Sequence, residues 1–261
     1  MASLAEIARA RTRLDDADID HLQALVAAWS LLSDLSFSDL LLYGPTEPAA
    51  DTFVVLGHTR SATGHTVHHG DPVGDVVRSA DRPLLARAYL EHRRAVGLIA
   101  RRGTAGTGGD PTVEEDVGLP GLQHRITVDY IPVCRAGGTV AVLTRETEPA
   151  LVRPSSLLER RYREVWERFA TMVTEGAFPL ERSERVGEFR EPRVSDGAVI
   201  LGRDGRTEYV SPNALSALHR LGVQLNPEGR TLRELGLDDT VVRRAFSSRH
   251  STVEELEVGD D

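Results

Sequence analysis

The chain has 261 residues, 40% of them hydrophobic, which is long enough for about two domains that each bury a core. Its net charge of −9 argues against nucleic acid as a direct partner, because contacts to phosphate need a basic surface. A single cysteine, and the lack of any stretch near the ~20 apolar residues of a membrane helix, predict a cytoplasmic protein without internal disulfides or a membrane span.

Residues 17–33 carry the apolar spacing of a helix that packs against another helix. The apolar residues at heptad spacing are Leu22, Leu25, Trp29 and Leu32. We predict one helix here that pairs with its copy in a second chain. The alternative is that it lies on the protein's own sheet, because the same spacing occurs on ordinary packed helices.

The next segments predict an antiparallel sheet with a helix on it. Two short runs rich in β-forming residues lie within residues 37–60, separated by a Pro-containing break. An amphipathic helix is expected over Asp81–Ala95, followed by a Gly-rich loop at residues 103–120. A hairpin then turns at Ala136-Gly137-Gly138. Strands and helices in this order predict an α+β domain.

A long amphipathic helix is predicted from Pro154 to about Phe178. Ser155 or Ser156 can cap its start, and Gly176 can end it. Its heptad residues are Leu158, Tyr162, Val165, Phe169 and Met172, and Trp166 and Val173 widen the apolar stripe. We expect it to join two folded units and to form a four-helix bundle in a dimer. The predicted dimer interface comprises Leu22, Leu25, Trp29, Leu158, Tyr162, Val165, Phe169 and Met172.

A second folded unit is predicted after a charged linker at residues 180–193. Two strands flank Asp204-Gly205, a typical hairpin turn. The second strand leads into Ser211-Pro212, an N-cap followed by proline at the first helical position. Short helices are predicted around residues 213–220 and 231–246, and a strand at Thr252–Val258.

Several segments, in this order, resemble the N-terminal half of the PdtaS-type cytosolic sensor histidine kinases of actinobacteria. They are DHLQALVAAWSLLSDLSFSDLLLY, GDPVG, IPVCRAGGTVAVLTRE, EGAFP and YVSPNALSALHRLG. The resemblance implies a GAF domain with an N-terminal bundle helix at residues 1–152 and a connecting, dimerising helix at 153–179. After the linker at 180–193, it implies a PAS-like domain at 194–261 that is incomplete at its C-terminus.

In this family the sensory region controls a kinase core in which ATP phosphorylates a histidine. The phosphoryl group then passes to a response regulator, commonly one with an ANTAR output. This chain contains neither the phosphoacceptor segment nor the Asn- and Gly-rich boxes of the family's ATP-binding domain. We therefore expect a dimeric input region that relays a signal to a kinase core absent from the chain, which ATP and Mg²⁺ would serve. The alternatives are a ligand-free GAF-PAS scaffold that acts on a partner and, without a catalytic motif to support it, a stand-alone enzyme.

Two groups of residues are candidates for ligand binding. His65, His68 and His69 could bind a metal, but their spacing matches no standard site, so a solvated turn is the alternative. Four arginines in the segment that normally covers a GAF pocket could bind a small anion such as a cyclic nucleotide, with an exposed helix end as the alternative. They are Arg93, Arg94, Arg101 and Arg102. The sequence identifies neither the signal nor a cofactor, and Cys134 is expected to be a buried, inert thiol.

Overall fold

The computed structural model describes residues 2–62, 66–100, 125–148, 156–179, 193–248 and 252. The chain divides into two compact units, residues 1–179 and 180–261. The loop predicted at 103–120 lies outside the described residues, as do the predicted linker except residue 193 and the predicted last strand except residue 252. Among the described residues, no helix is both long and apolar enough to span a membrane.

The first unit is built on a six-stranded antiparallel sheet. Its strands are β1 (Asp39–Pro45), β2 (Thr52–Thr59), β3 (Val76–Arg78), β4 (Ala95–Ala100), β5 (Arg125–Arg135) and β6 (Gly138–Thr147). Their order across the sheet is β3-β2-β1-β6-β5-β4. The β5–β6 hairpin turns through Ala136 and Gly137, both at positive φ (51° and 83°), at the predicted place. The α+β prediction is confirmed for this unit, which also contains two unpredicted strands, β3 and β4.

Helices cover both faces of this sheet. They are α1 (Leu4–Arg11), α2 (Asp16–Val26), α3 (Trp29–Ser36), α4 (Pro83–Glu91) and α5 (Leu157–Thr174). Because side chains alternate along a strand, Val128 and Tyr130 of β5 point into the core beneath α4. Asp129, between them, points to the opposite face, where it shares an arginine with α5. Helix α3 packs against α5 on this second face.

The single helix predicted over residues 17–33 is two helices, so that prediction was wrong. Helix α2 ends at Val26, and α3 begins at Trp29. The break allows Trp29 to turn onto the sheet, where its ring lies over Gly57. A Cβ added to Gly57 would be 3.0 Å from that ring, so the close packing depends on glycine at this position.

The second unit contains the predicted hairpin. Strands β7 (Val199–Leu201) and β8 (Thr207–Val210) pair antiparallel, and Gly205 in their turn has φ 76°. Ser211 caps α6 (Pro212–Arg220) by accepting a hydrogen bond from the backbone amide of Ala214 at 3.3 Å. Both local predictions are therefore confirmed.

The prediction of one helix over residues 231–246 was wrong. Residues 233–235 form one turn of 3-10 helix, which ends at Gly236 in the left-handed region (φ 80°). Helix α7 (Thr240–Ser248) begins only after this turn. The small core of the unit contains Leu218, Val223 and Leu235.

Candidate functional site

Two carboxylates face each other at the centre of the first unit. Asp39 of β1 pairs directly with Glu146 of β6, and both residues are 0% exposed. Like charges opposite each other in a sheet are destabilising, and a buried charge without a partner costs on the order of several kcal/mol. Stable folding therefore requires positive charges and hydrogen-bond donors around both groups.

Glu146 is neutralised by Arg82 and His68. Its Oε1 accepts a hydrogen bond from Nη1 of Arg82 at 3.1 Å, and its Oε2 lies 2.8 Å from Nε2 of His68. Arg82 is only 2% exposed and is the N-cap residue of α4, directly before Pro83, which suits the first position of a helix. Burial by itself would raise the pKa of Glu146, but Arg82 and His68 outweigh burial and lower this pKa to about 2.

Asp39 fastens a loop to the sheet. Its Oδ2 accepts hydrogen bonds from the hydroxyl of Thr66 at 2.6 Å and from the backbone amides of Val67 and His68 at 2.8 and 3.2 Å. Hydrogen bonds to an ionised acceptor are roughly twice as strong as neutral ones. This contact holds His68 beside Glu146.

Two buried atoms at this site, Oδ1 of Asp39 and Nε2 of His58, have no hydrogen-bond partner in the described part of the chain. The ring of His58, on β2, lies 5.3 Å from the ring of His68. Burial, together with the neighbouring His68 and Arg60, lowers the pKa of His58 to about 4. The site can therefore anchor a loop and respond to protons. We call Asp39, His58, His68, Arg82 and Glu146 the buried charge cluster.

Most of this cluster was missed by sequence reasoning. The available signal was a charged residue within or beside an apolar strand segment, as for Asp39 and Glu146, and an arginine directly before Pro83. Cys134 is buried as predicted, with its Sγ 3.6 Å from the hydroxyl of Thr139.

The predicted metal candidates are not brought together among the described residues. His68 is engaged by Glu146, His69 is exposed, and His65 lies outside the described residues. Within the described part of the chain, no group of three His, Cys, Asp or Glu side chains is placed to hold a metal ion.

The four arginines predicted to bind an anion have different surroundings. Arg93 is exposed, whereas Arg101 and Arg102 lie outside the described residues. Arg94 directly precedes β4 and is held between two carboxylates on the α5 side of the sheet. Its guanidinium is therefore already paired within the chain, and anion binding by Arg94 stays a prediction.

Arg94 forms the centre of a second charged group. Its Nε donates to Oδ1 of Asp129 at 2.6 Å, and Nη2 bonds the other carboxylate oxygen. Both terminal nitrogens also donate to Glu167 of α5, Nη2 at 3.1 Å, and these bonds lower the pKa of Glu167. Nε of Arg145 lies 3.7 Å from Oδ2 of Asp129. We call Arg94, Asp129, Arg145 and Glu167 the guanidinium cluster.

The predicted dimer-interface residues fall into two sets. The residues buried within this chain are Leu22, Leu25, Trp29 and Tyr162, none more than 5% exposed. A side chain buried in this way has no surface to offer a second chain, so the interface prediction was wrong for these four. On α5, the side chains that face the chain's own core are Tyr162, Trp166, Ala170 and Val173.

A neighbouring stripe on α5 stays partly open. It comprises Leu158 (37% exposed) and the half-buried Val165, Phe169 and Met172. We call these four residues the α5 stripe. The dimer interface stays a prediction for this stripe alone.

Comparisons with known proteins agree with the fold. A family model of the GAF domain of histidine kinase PdtaS matches residues 4–166. The sensor histidine kinase PdtaS of Mycobacterium tuberculosis is 36% identical over 235 residues, and that of Mycolicibacterium smegmatis is 32% identical over 236. Each match covers 89% of this chain and 43% of the relative, so the chain spans less than half their length. A solved sensor region of a sensor histidine kinase matches with a TM-score of 0.73 and 30% identity, over 95% of this chain and 84% of that one.

Proposed function

The chain belongs to the PdtaS family of histidine kinases and contains its GAF domain, and from this premise we propose that it is the dimeric sensory input region of a cytosolic two-component kinase. The observation that carries the proposal is the two-sided surface of α5. One side packs on the GAF sheet, and the other presents the α5 stripe. A signal received by the sheet would change the packing of α5 and so reposition whatever the helix adjoins.

The proposed organisation follows the chain in order. A GAF-like sensor domain occupies residues 1–152, a connecting and dimerising helix 153–179, a linker 180–193 and a PAS-like domain 194–261. The PAS-like assignment is supported by the β7–β8 hairpin and by α6 with its serine cap, which lie where the family resemblance expects them.

The proposed partners come from the family. They are a second copy of the chain, a kinase core that uses ATP and Mg²⁺, and a response regulator of the ANTAR type. A small ligand in the GAF or PAS pocket supplies the signal. The kinase core transfers the phosphoryl group, and this chain controls how often it does so.

Phe169 is the residue on which the dimer depends most. It lies near the middle of the α5 stripe, and its ring packs edge-on against Phe178 with centroids 5.0 Å apart. The ring is thereby held in place before a partner binds. A charge at this position would have to be buried in the interface without a counter-charge.

Light scattering tests the proposed dimer. The wild-type chain should have the mass of two copies, and Phe169→Glu should have the mass of one. Thr171→Glu, an exposed position on the same helix, is the matched control and should remain dimeric. A wild-type chain that stays monomeric at high concentration would contradict the proposal.

The alternative function, a ligand-free scaffold, is favoured by one observation. Beneath α4, where a GAF ligand would bind, the space is filled by the chain's own aromatic side chains, which are Tyr43, Phe53 and Tyr130 of the sheet and Tyr89 of α4 itself. A thermal-shift screen with cyclic nucleotides and metal ions separates the two functions, because a ligand of the folded state raises the melting temperature. A rise in melting temperature with any of these compounds supports the sensory function. No rise with any of them supports the scaffold.

A further inference from the structure

The guanidinium cluster has a charge imbalance that α5 corrects. On the sheet, Arg94 and Arg145 carry two positive charges, and the buried Asp129 (1% exposed) carries one negative charge. Glu167 of α5 provides the fourth charge and makes the group neutral. The nearby Arg163 does not alter this sum, because it is paired with Glu159 at 2.6 Å.

Arg145 has hydrogen-bonding capacity that the described structure leaves unused. Its Nε is buried and makes no hydrogen bond with any described residue. Burial lowers the pKa of Arg145, while Asp129 and Glu167 act in the opposite direction. A guanidinium presents its N–H groups as a planar fork that matches two oxygens of a carboxylate or a phosphate group. Two such forks beside one buried carboxylate can therefore hold a further oxyanion.

We propose that Arg94 and Arg145 form a binding site for a singly charged oxyanion, either a carboxylate or a phosphodiester, and that Glu167 occupies this site in the structure. Arg94, Arg145 and Asp129 together carry one net positive charge, so a ligand with a single negative charge makes the site neutral. An incoming oxyanion competes with Glu167 and removes one of the contacts that hold α5 to the sheet. This inference rests on the proposed function, in which α5 carries the signal.

The site is accessible from solvent while α5 is in place. The side chain of Glu167 is 50% exposed, that of Arg94 31% and that of Arg145 21%. In the buried charge cluster, by contrast, the side chains of Arg82 and Glu146 are 3% and 0% exposed. An anion from solution can therefore exchange with Glu167, whereas Glu146 is shielded from such exchange.

Acetate titration of the full chain tests the site, with sodium chloride at equal ionic strength as the reference. Glu167→Ala vacates the site, and Glu164→Ala is the matched control, because Glu164 lies on the same helix but pairs with Arg161. Acetate at about ten times its Kd should raise the Tm of Glu167→Ala by about 3 °C. The wild-type chain and Glu164→Ala should shift by less than about 1 °C.

Adding Arg145→Gln to Glu167→Ala should abolish the acetate response. This substitution is suited to the test because the Nε of Arg145 makes no hydrogen bond with the described residues. The proposal would be overturned if acetate raised the Tm of all variants equally, or if it did not raise the Tm of Glu167→Ala. Dimethyl phosphate in place of acetate identifies the preferred oxyanion by the larger shift. The mass of the wild-type chain in the same buffer reports on the dimer separately, so failure of the anion site is distinguishable from failure of the proposed function.

Discussion

The two faces of the GAF sheet hold their charges in different ways. Beneath α4, Glu146 and Asp39 are fully buried, and Glu146 is bonded to an arginine that is itself 2% exposed. In the guanidinium cluster beneath α5, Asp129 is fully buried, while Arg94 and Glu167 are partly open to water. The first arrangement is enclosed within one chain, whereas the second includes a helix that also presents an apolar stripe.

We expect this difference to assign stability to one face of the sheet and signalling to the other. Removing one member of a fully buried ion pair leaves an uncompensated charge in the interior, which is strongly destabilising. A half-exposed pair is screened by water and contributes little to stability, so its partners can be exchanged without unfolding the domain. We therefore expect the α4 face to hold the fold and the α5 face to transmit change.

The largest effect is expected from Arg82→Met, which removes the positive charge beneath α4 and leaves two buried carboxylates. Its free energy of unfolding should fall by about 3–5 kcal/mol in urea denaturation. Arg78→Met is the matched control, because its ion pair with Asp81 is exposed (72% and 33%), and it should cost less than about 0.5 kcal/mol. If both variants lost a similar free energy of unfolding, the expected difference between buried and exposed ion pairs would be contradicted.

The next effect is a loss of stability in acid that originates at His58. Folding lowers the pKa of His58 from 6.5 to about 4, so the unfolded chain binds more protons between these values. Stability is therefore full above about pH 6.5 and falls by roughly 3 kcal/mol as the pH drops to about 4. His58→Gln should flatten this part of the profile, measured as urea midpoint against pH.

A further decline at lower pH should remain in His58→Gln, because it belongs to Glu146. Folding lowers the pKa of Glu146 from 4.5 to about 2, so its contribution is present above pH 4.5 and is lost as the pH falls through about 2. An unchanged slope between pH 6.5 and 4 in His58→Gln would contradict the assignment to His58.

The smallest effect is expected on the α5 face. Glu167→Ala removes a half-exposed partner of Arg94 and should cost only about 0.5–1 kcal/mol in urea denaturation. Glu164→Ala, whose pair with Arg161 is 56% exposed on both sides, should cost no more than this. If Glu167→Ala lowered the free energy of unfolding as much as Arg82→Met does, the expected difference between the two faces of the sheet would be contradicted.

Local signals in the sequence were sufficient for several elements. The Asp204-Gly205 turn and the Ser211 cap depend on neighbouring residues only, and both occur where the sequence predicts them. The ion pairs could not be predicted in this way. Asp39 and Glu146 are 107 positions apart in the sequence, and only the pairing of β1 with β6 makes them neighbours.

The heptad spacing predicted the helices better than their partners. It marked α5 correctly but did not reveal that Trp166 and Val173, rather than Val165 and Met172, face the chain's own core. Likewise, Leu22 and Leu25 have the spacing of an interface but are buried within the chain. Heptad spacing identifies the apolar stripe of a helix. Which part of that stripe is buried and which part stays exposed depends on how the helix packs against the sheet.

Cysteine cross-linking along α5 tests the central claim, that the α5 stripe is the seam between two chains, most directly. In a Cys134→Ser background, single cysteines replace Leu158, Val165 or Met172 in the stripe and the exposed Arg160 or Thr171 outside it. Under mild oxidation, at least one stripe variant should form a covalent dimer rapidly, and both outside variants should remain largely monomeric on a denaturing gel. Cross-linking that is as fast at Arg160 or Thr171 as within the stripe would contradict the claim.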